Sequence, residues 1–165
     1  MPAWLRFTLI GLLVVLIGIQ LVPVARTNPP VETEIPAPDN VRQVLKESCY
    51  DCHSNETKWP WYSYVAPVSW LVADDVAKGR KRVNFSTWNQ YNERQQGKKI
   101  EGIWDEVQQG EMPLANYLTQ HPAARLTQDD KNILHSWVES QTSDRPPVPE
   151  DDGSAMPEST ESGPN

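Results

Sequence analysis

Residues 41–53 read VRQVLKESCYDCH. In this stretch Val41, Val44, Leu45 and Ser48 recur at the i, i+3, i+4, i+7 spacing that places them on one face of an α-helix, with Asp39 or Asn40 as its amino-terminal cap. The helix runs directly into Cys49-Tyr50-Asp51-Cys52-His53. Two thiols at this spacing can each form a thioether with a vinyl group of haem, while the histidine that follows reaches the iron from one side.

Other chemistries use parts of the same string. A redox dithiol wants CxxC at the start of a helix in a βαβ setting, whereas here a helix precedes the motif. A zinc site needs four ligands, so Cys49, Cys52 and His53 would need His121 or His135 as the fourth, and no second ligand pair stands at a recognisable spacing. A disulfide or buried thiol pair leaves His53 without a reason. Covalent haem uses all three residues. The chain has two cysteines and both lie within the motif, so a disulfide framework is excluded.

Around the motif the middle of the chain reads as short helices punctuated by Gly and Pro, with no alternating β-branched run that demands a sheet. The expected fold is all-α. A second helix opens at Pro67, turns Val68, Leu71, Val72 and Val76 inward and stops at Gly79. A third follows a Ser86-Thr87 cap through Trp88 and Tyr91 toward Gly97. A fourth carries Ile100, Ile103, Trp104 and Val107 on one face and ends at Gly110. The last is capped by Thr127, favoured by Asp130, and buries Ile133, Leu134, Trp137 and Val138, with Trp137 against the first of these helices.

The two ends differ from the middle. Phe7 to Ala25 is uncharged and mostly apolar, long enough to cross a membrane as a helix and poor in signal-peptidase features, so residues 1–26 read as an uncleaved transmembrane anchor. Gln20 is its strongly polar interruption. Arg6 and the amino terminus outweigh Arg26 and favour the amino end inside the cell, which turns the remaining chain outward. Residues 27–39, rich in proline and acid, read as an extended spacer. Residues 40–140 form the domain, and the acidic, proline-rich stretch 141–165 is too polar to offset its ordering entropy and reads as disordered.

The net charge of -7 is concentrated in that tail, and the dense basic cluster is Lys78, Arg80, Lys81 and Arg82. No broad basic field is present for a nucleic-acid backbone. The cluster suits haem propionates or an acidic partner, and equally the carboxyl end of a helix. Trp59, Trp61, Tyr62, Tyr64 and Trp70 suit either a haem wall or the core of an extra helix.

Met112, followed by Pro113, is the one methionine of the domain. A thioether is a soft sixth ligand that raises the potential of a histidine-ligated haem, and the proline fixes the loop that presents it. Filling a core gap is the alternative role for this side chain, and His121 and His135 are rival ligands, with a structural role favoured for His135.

CYDCHSNETKWPWYSYVAPVSWL (49–71), NFSTW (84–88), GEMP (110–113) and TQDDKNILHSW (127–137) follow in an order that resembles the bacterial haem-binding domain family related to monohaem cytochromes c. The likeness spans Asn40 to Ser140. It implies a cytochrome-c-like helical fold around one covalent haem c, with Cys49, Cys52 and His53 at the attachment motif and Met112 at the distal position. The insert from Ser54 to about Gly97 departs from a minimal cytochrome.

The reading is then a non-enzymatic electron-transfer protein, held by its amino-terminal helix at the outer, periplasmic face of the bacterial inner membrane and serving a redox protein partner. A haem-based gas or redox sensor, or a small peroxidase with a labile distal ligand, is the alternative. No acid, base and nucleophile set suggests a hydrolase.

Overall fold

A computed structural model describes residues 2–143. Seven α-helices and three short 3-10 turns make up the regular structure of these residues, and an isolated bridge between Thr33 and Thr87 is their β pairing. Helix α1 (Ala3–Gln20) has a mean hydropathy of 2.0 and none of it is buried, so it is long and apolar enough to cross a membrane. It begins four residues before the expected span and ends earlier, because Pro23 removes a donor and pushes Val22 out of helical conformation.

Residues 27–38 are extended and Asp39 already belongs to the next helix, but the stretch is not the free spacer read from composition for 27–39. Glu32 N donates to Ser86 O (2.8 Å), Ile35 N to Phe85 O (3.0 Å) and Trp88 N to Thr33 O (3.0 Å), while the Ile35 side chain is buried in the core. Ile35 and Ala37, both in the core, with ladder-like partners are enough to dock a segment whose composition carries no apolar period.

Helix α2 (Asp39–Ser48) buries Val41, Val44, Leu45 and Ser48, the face expected from its spacing. A break at Cys49 (φ -126°) redirects the chain into the single turn α3 (Tyr50–His53), where His53 N donates back to Cys49 O at 2.9 Å. Helix α4 (Val68–Arg82) runs past Gly79 instead of stopping there, and Val68 and Leu71 are exposed, not inward. The reason is its neighbour. The helix packs on α3, leaving Ser69, Val76 and Gly79 as its buried residues, and a Cβ at Gly79 would lie 2.5 Å from Cys52 O. Gly79 serves close approach, not termination.

The third and fourth expected helices are divided differently. Trp88–Gln90 is a 3-10 turn, and one helix, α5 (Glu93–Gln108), starts at a complete capping box in which Asn92 and Gln95 exchange side-chain and backbone bonds. Gly110, at φ 77°, closes it in the left-handed conformation. Helix α6 (Ala115–Gln120) was not legible from a stretch of six residues, and α7 (Gln128–Ser143) opens as expected at Thr127, whose N–H and hydroxyl both donate to Asp130 Oδ2. Residues 141–143, read as the start of a disordered tail, belong to α7, and the rest of that tail, 144–165, lies outside the described residues.

Helix α7 packs on α2 and α5, and Leu45, Leu134 and Trp137 meet Ile35 and Phe85 in one core. Leu45 and Leu134 are fully buried. Leu45→Ala is expected to destabilise the domain by about 2–5 kcal/mol through lost transfer and cavity terms, and a chemical-denaturation midpoint unchanged from wild type would contradict this core.

Candidate haem site

Helices α3, α4 and α5 and the loop before α6 enclose an apolar cavity of about 270 Å³. Cys49, Cys52, His53 and Met112, far apart in sequence apart from the motif, all line it. Neither rival histidine does. His121 faces an adjoining cavity, where its ring stacks on Tyr117 at 4.2 Å and its Nδ1 lies 3.4 Å from the Tyr62 hydroxyl. His135 lies on the surface of α7, tilted 4.5 Å from Trp104 with Nε2 3.7 Å from Glu139.

His53 is held by backbone. Its Nδ1 lies 3.0 Å from Gly79 O and 3.2 Å from Val83 O, and carbonyls only accept, so Nδ1 carries the proton and donates. Burial pushes the imidazole below its ordinary pKa, against the opposing pull of those two hydrogen bonds. The ring is therefore neutral, with its lone pair on Nε2, the form that ligates a metal. Phe85 N donates to His53 O at 2.8 Å, which ties the end of the motif to the buried strand-like stretch behind it.

The thiols are neutral too. Burial, with the neighbouring Cys52 thiol, pushes Cys49 up to about 12; burial, with Asp51 and Asp75, pushes Cys52 up to about 11. A redox dithiol needs a depressed thiol pKa, and this site has the reverse. Both cysteines are free thiols, and among the described residues no three His, Cys, Asp or Glu side chains gather as a metal cluster, so the tetrahedral zinc alternative has no ligand set there.

The loop that carries Met112 is anchored to the last turn of α5. Glu111 N and Met112 N both donate to Glu106 O, at 3.0 and 3.2 Å, and Pro113 and Leu114 follow along the cavity wall. Val83, Phe85, Ile103 and Val107 complete the apolar lining. Arg82 and Lys98 are exposed where they line it, and Arg82 pairs with Glu106.

Sequence reasoning missed two features. Arg80 is more than a helix-end cation, because it donates to Ser54 O, Thr27 O, Asn28 Oδ1 and Thr57 Oγ1 and so clamps the chain after the motif. Tyr117 lines the cavity and donates to Asp51 Oδ2 at 2.8 Å, pinning the motif's third residue from α6. Asp51 inside CxxCH was visible, but its partner is 66 residues away.

None of Trp59, Trp61, Tyr62, Tyr64 and Trp70 lines this cavity; Trp59 and Tyr62 are half-buried, whereas Trp61, Tyr64 and Trp70 are exposed.

An all-helical domain that turns two neutral thiols, a tautomer-fixed imidazole and a thioether toward one apolar cavity has the donor set and walls of a site for an apolar, metal-centred prosthetic group. The sequence model of the haem-binding domain family matches residues 14–140, and the chain belongs to that family. The match includes the stretch before α2 that composition alone had set apart. No curated protein and no solved structure gives a significant match.

Gly79→Ala is expected to force α4 away from Cys52 and cost about 1–3 kcal/mol by overpacking, because the added carbon would meet backbone and not a flexible side chain. Thermal unfolding of the variant at the wild-type temperature would contradict the close packing.

Proposed function

We propose that this haem-binding protein carries one covalent haem c, which Cys49 and Cys52 would bond and whose iron His53 and Met112 would hold, and that it transfers electrons without transforming a substrate. The observation that carries the reading is the meeting of all four side chains at a single apolar cavity.

When bound, haem supplies a ferrous/ferric couple. The protein's own work is to hold and insulate. Gly79 O and Val83 O orient His53 and keep its proton on Nδ1, which raises the basicity of Nε2. The Glu106-anchored turn presents the sulfur of Met112 at small entropic cost, and a soft ligand favours the ferrous state. Val83, Phe85, Ile103 and Leu114 exclude water from the cavity, while Arg82 and Lys98 at its exposed edge offer the charge that haem carboxylates require. With His53 and the Met112 turn both fixed by hydrogen bonds to backbone carbonyls, little of the chain would need to rearrange when the iron changes state.

Helix α1 spans the membrane in this reading, and the slight excess of positive charge at its amino end orients the domain to the outer, periplasmic face of a bacterial inner membrane. A redox protein would be its partner there.

Two outcomes test the chemistry. Correctly matured protein should keep haem-dependent peroxidase staining on a denaturing gel, and the double change Cys49→Ala, Cys52→Ala should abolish it; a wild-type band without stain refutes covalent attachment. Met112→Ala should remove the weak far-red band of sulfur-ligated ferric haem, lower the reduction potential and open the iron to carbon monoxide. If wild-type protein already binds carbon monoxide readily, or the variant keeps its spectrum and potential, the distal assignment fails and the sensor or peroxidase chemistry gains its place.

A further inference from the structure

Among the described residues beyond Val22, the exposed large apolar side chains are Val31 and six that crowd into eleven residues: Trp61, Tyr64, Val65, Val68, Trp70 and Leu71. Trp61 is 76% exposed. A soluble surface seldom concentrates its apolar area in this way without a binding purpose.

The segment is tied to the end of α1. Gln20, the polar last residue of that helix, donates through Nε2 to Ala66 O at 3.2 Å, and its Oε1 accepts from Ala66 N at 2.9 Å. Both backbone groups of Ala66, in the middle of the apolar cluster, are thus satisfied by one side-chain amide. Arg26 adds a second link, donating to Ser63 O at 3.1 Å and lying 4.4 Å over the Tyr64 ring. The polar residue that interrupts the apolar helix is therefore a tether that fixes the aromatic segment at the level where the span ends.

We infer that residues 61–71 form a membrane-interface foot, with Trp61, Tyr64 and Trp70 seated among the phospholipid headgroups beside the exit of α1. This rests on the reading of α1 as a membrane span. Trp and Tyr, with an apolar body and a polar tip, concentrate at that depth, and a cluster pinned beside the end of the span reaches it without further chain. The consequence is orientation: the domain lies against the bilayer on its α4 side instead of swinging on a tether.

The test places p-benzoylphenylalanine at position 61 or 64 of the full-length protein in phosphatidylcholine and phosphatidylglycerol bilayers, followed by irradiation and intact mass measurement. Val14→p-benzoylphenylalanine, within α1, monitors the span, and Asn89→p-benzoylphenylalanine, exposed elsewhere on the domain, monitors water. A phospholipid mass added at 14, 61 and 64 but not at 89 is the expected result. Addition at 14 alone overturns the foot and leaves the span standing. Addition at none of the four positions overturns the span and the foot with it. A covalent dimer formed through 61 or 64 without lipid addition overturns the foot in favour of a second copy of the chain.

Discussion

The contact on which the site depends is the pair of hydrogen bonds from His53 Nδ1 to Gly79 O and Val83 O. It ties the one-turn helix α3 to the last turn of α4, and it exists only because Gly79 lets α4 approach Cys52 O to a distance that no side chain allows. Ordering this contact does three things together. It fixes the tautomer, aims Nε2 away from α4, and holds the two cysteines at the cavity wall. Arg80 and Phe85 extend the brace, one by clamping Ser54 and Thr57, the other by donating its backbone N–H to His53 O. The site is thus a property of the α3–α4 junction, not of the motif alone.

Around that junction the electrostatics are consistently those of a dry site. Burial keeps both thiols and the imidazole neutral, which avoids the cost of an isolated charge in an apolar cavity. Of the charged groups that line it, Arg82 pairs with Glu106, Lys98 lies exposed and Lys99 donates to Arg82 O. Asp51 is the exception nearest the motif, and it accepts from Tyr117 Oη and from Lys58 N, so its oxygens are satisfied where it stands.

How much was legible depended on the range of the interaction. The buried face of α2 and the capping of α7 were read correctly from residues three and four apart, because periodicity and caps are local. Gly79 was misread as a stop because a helix-ending glycine and a close-packing glycine look identical until the neighbouring backbone is in place. Ile35 was hidden by the prolines around it, and its burial comes from pairing with Phe85, fifty residues later. Trp61 and Tyr64 were expected inside because aromatic clusters usually are; the structure leaves them outside, beside Gln20.

Residue spacing along the chain carries the chemistry on offer and the class of fold: CxxCH at the end of an amphipathic helix, helical periods without a sheet, and an apolar amino-terminal span. Local spacing is enough for these, since each is decided within two or three turns of chain. Which donors share a cavity is set by helix packing instead. Met112 enters it and His121 and His135 do not, because that choice turns on where the end of α5 and the turn after it pass α3, a matter of helix packing between residues some 60 apart.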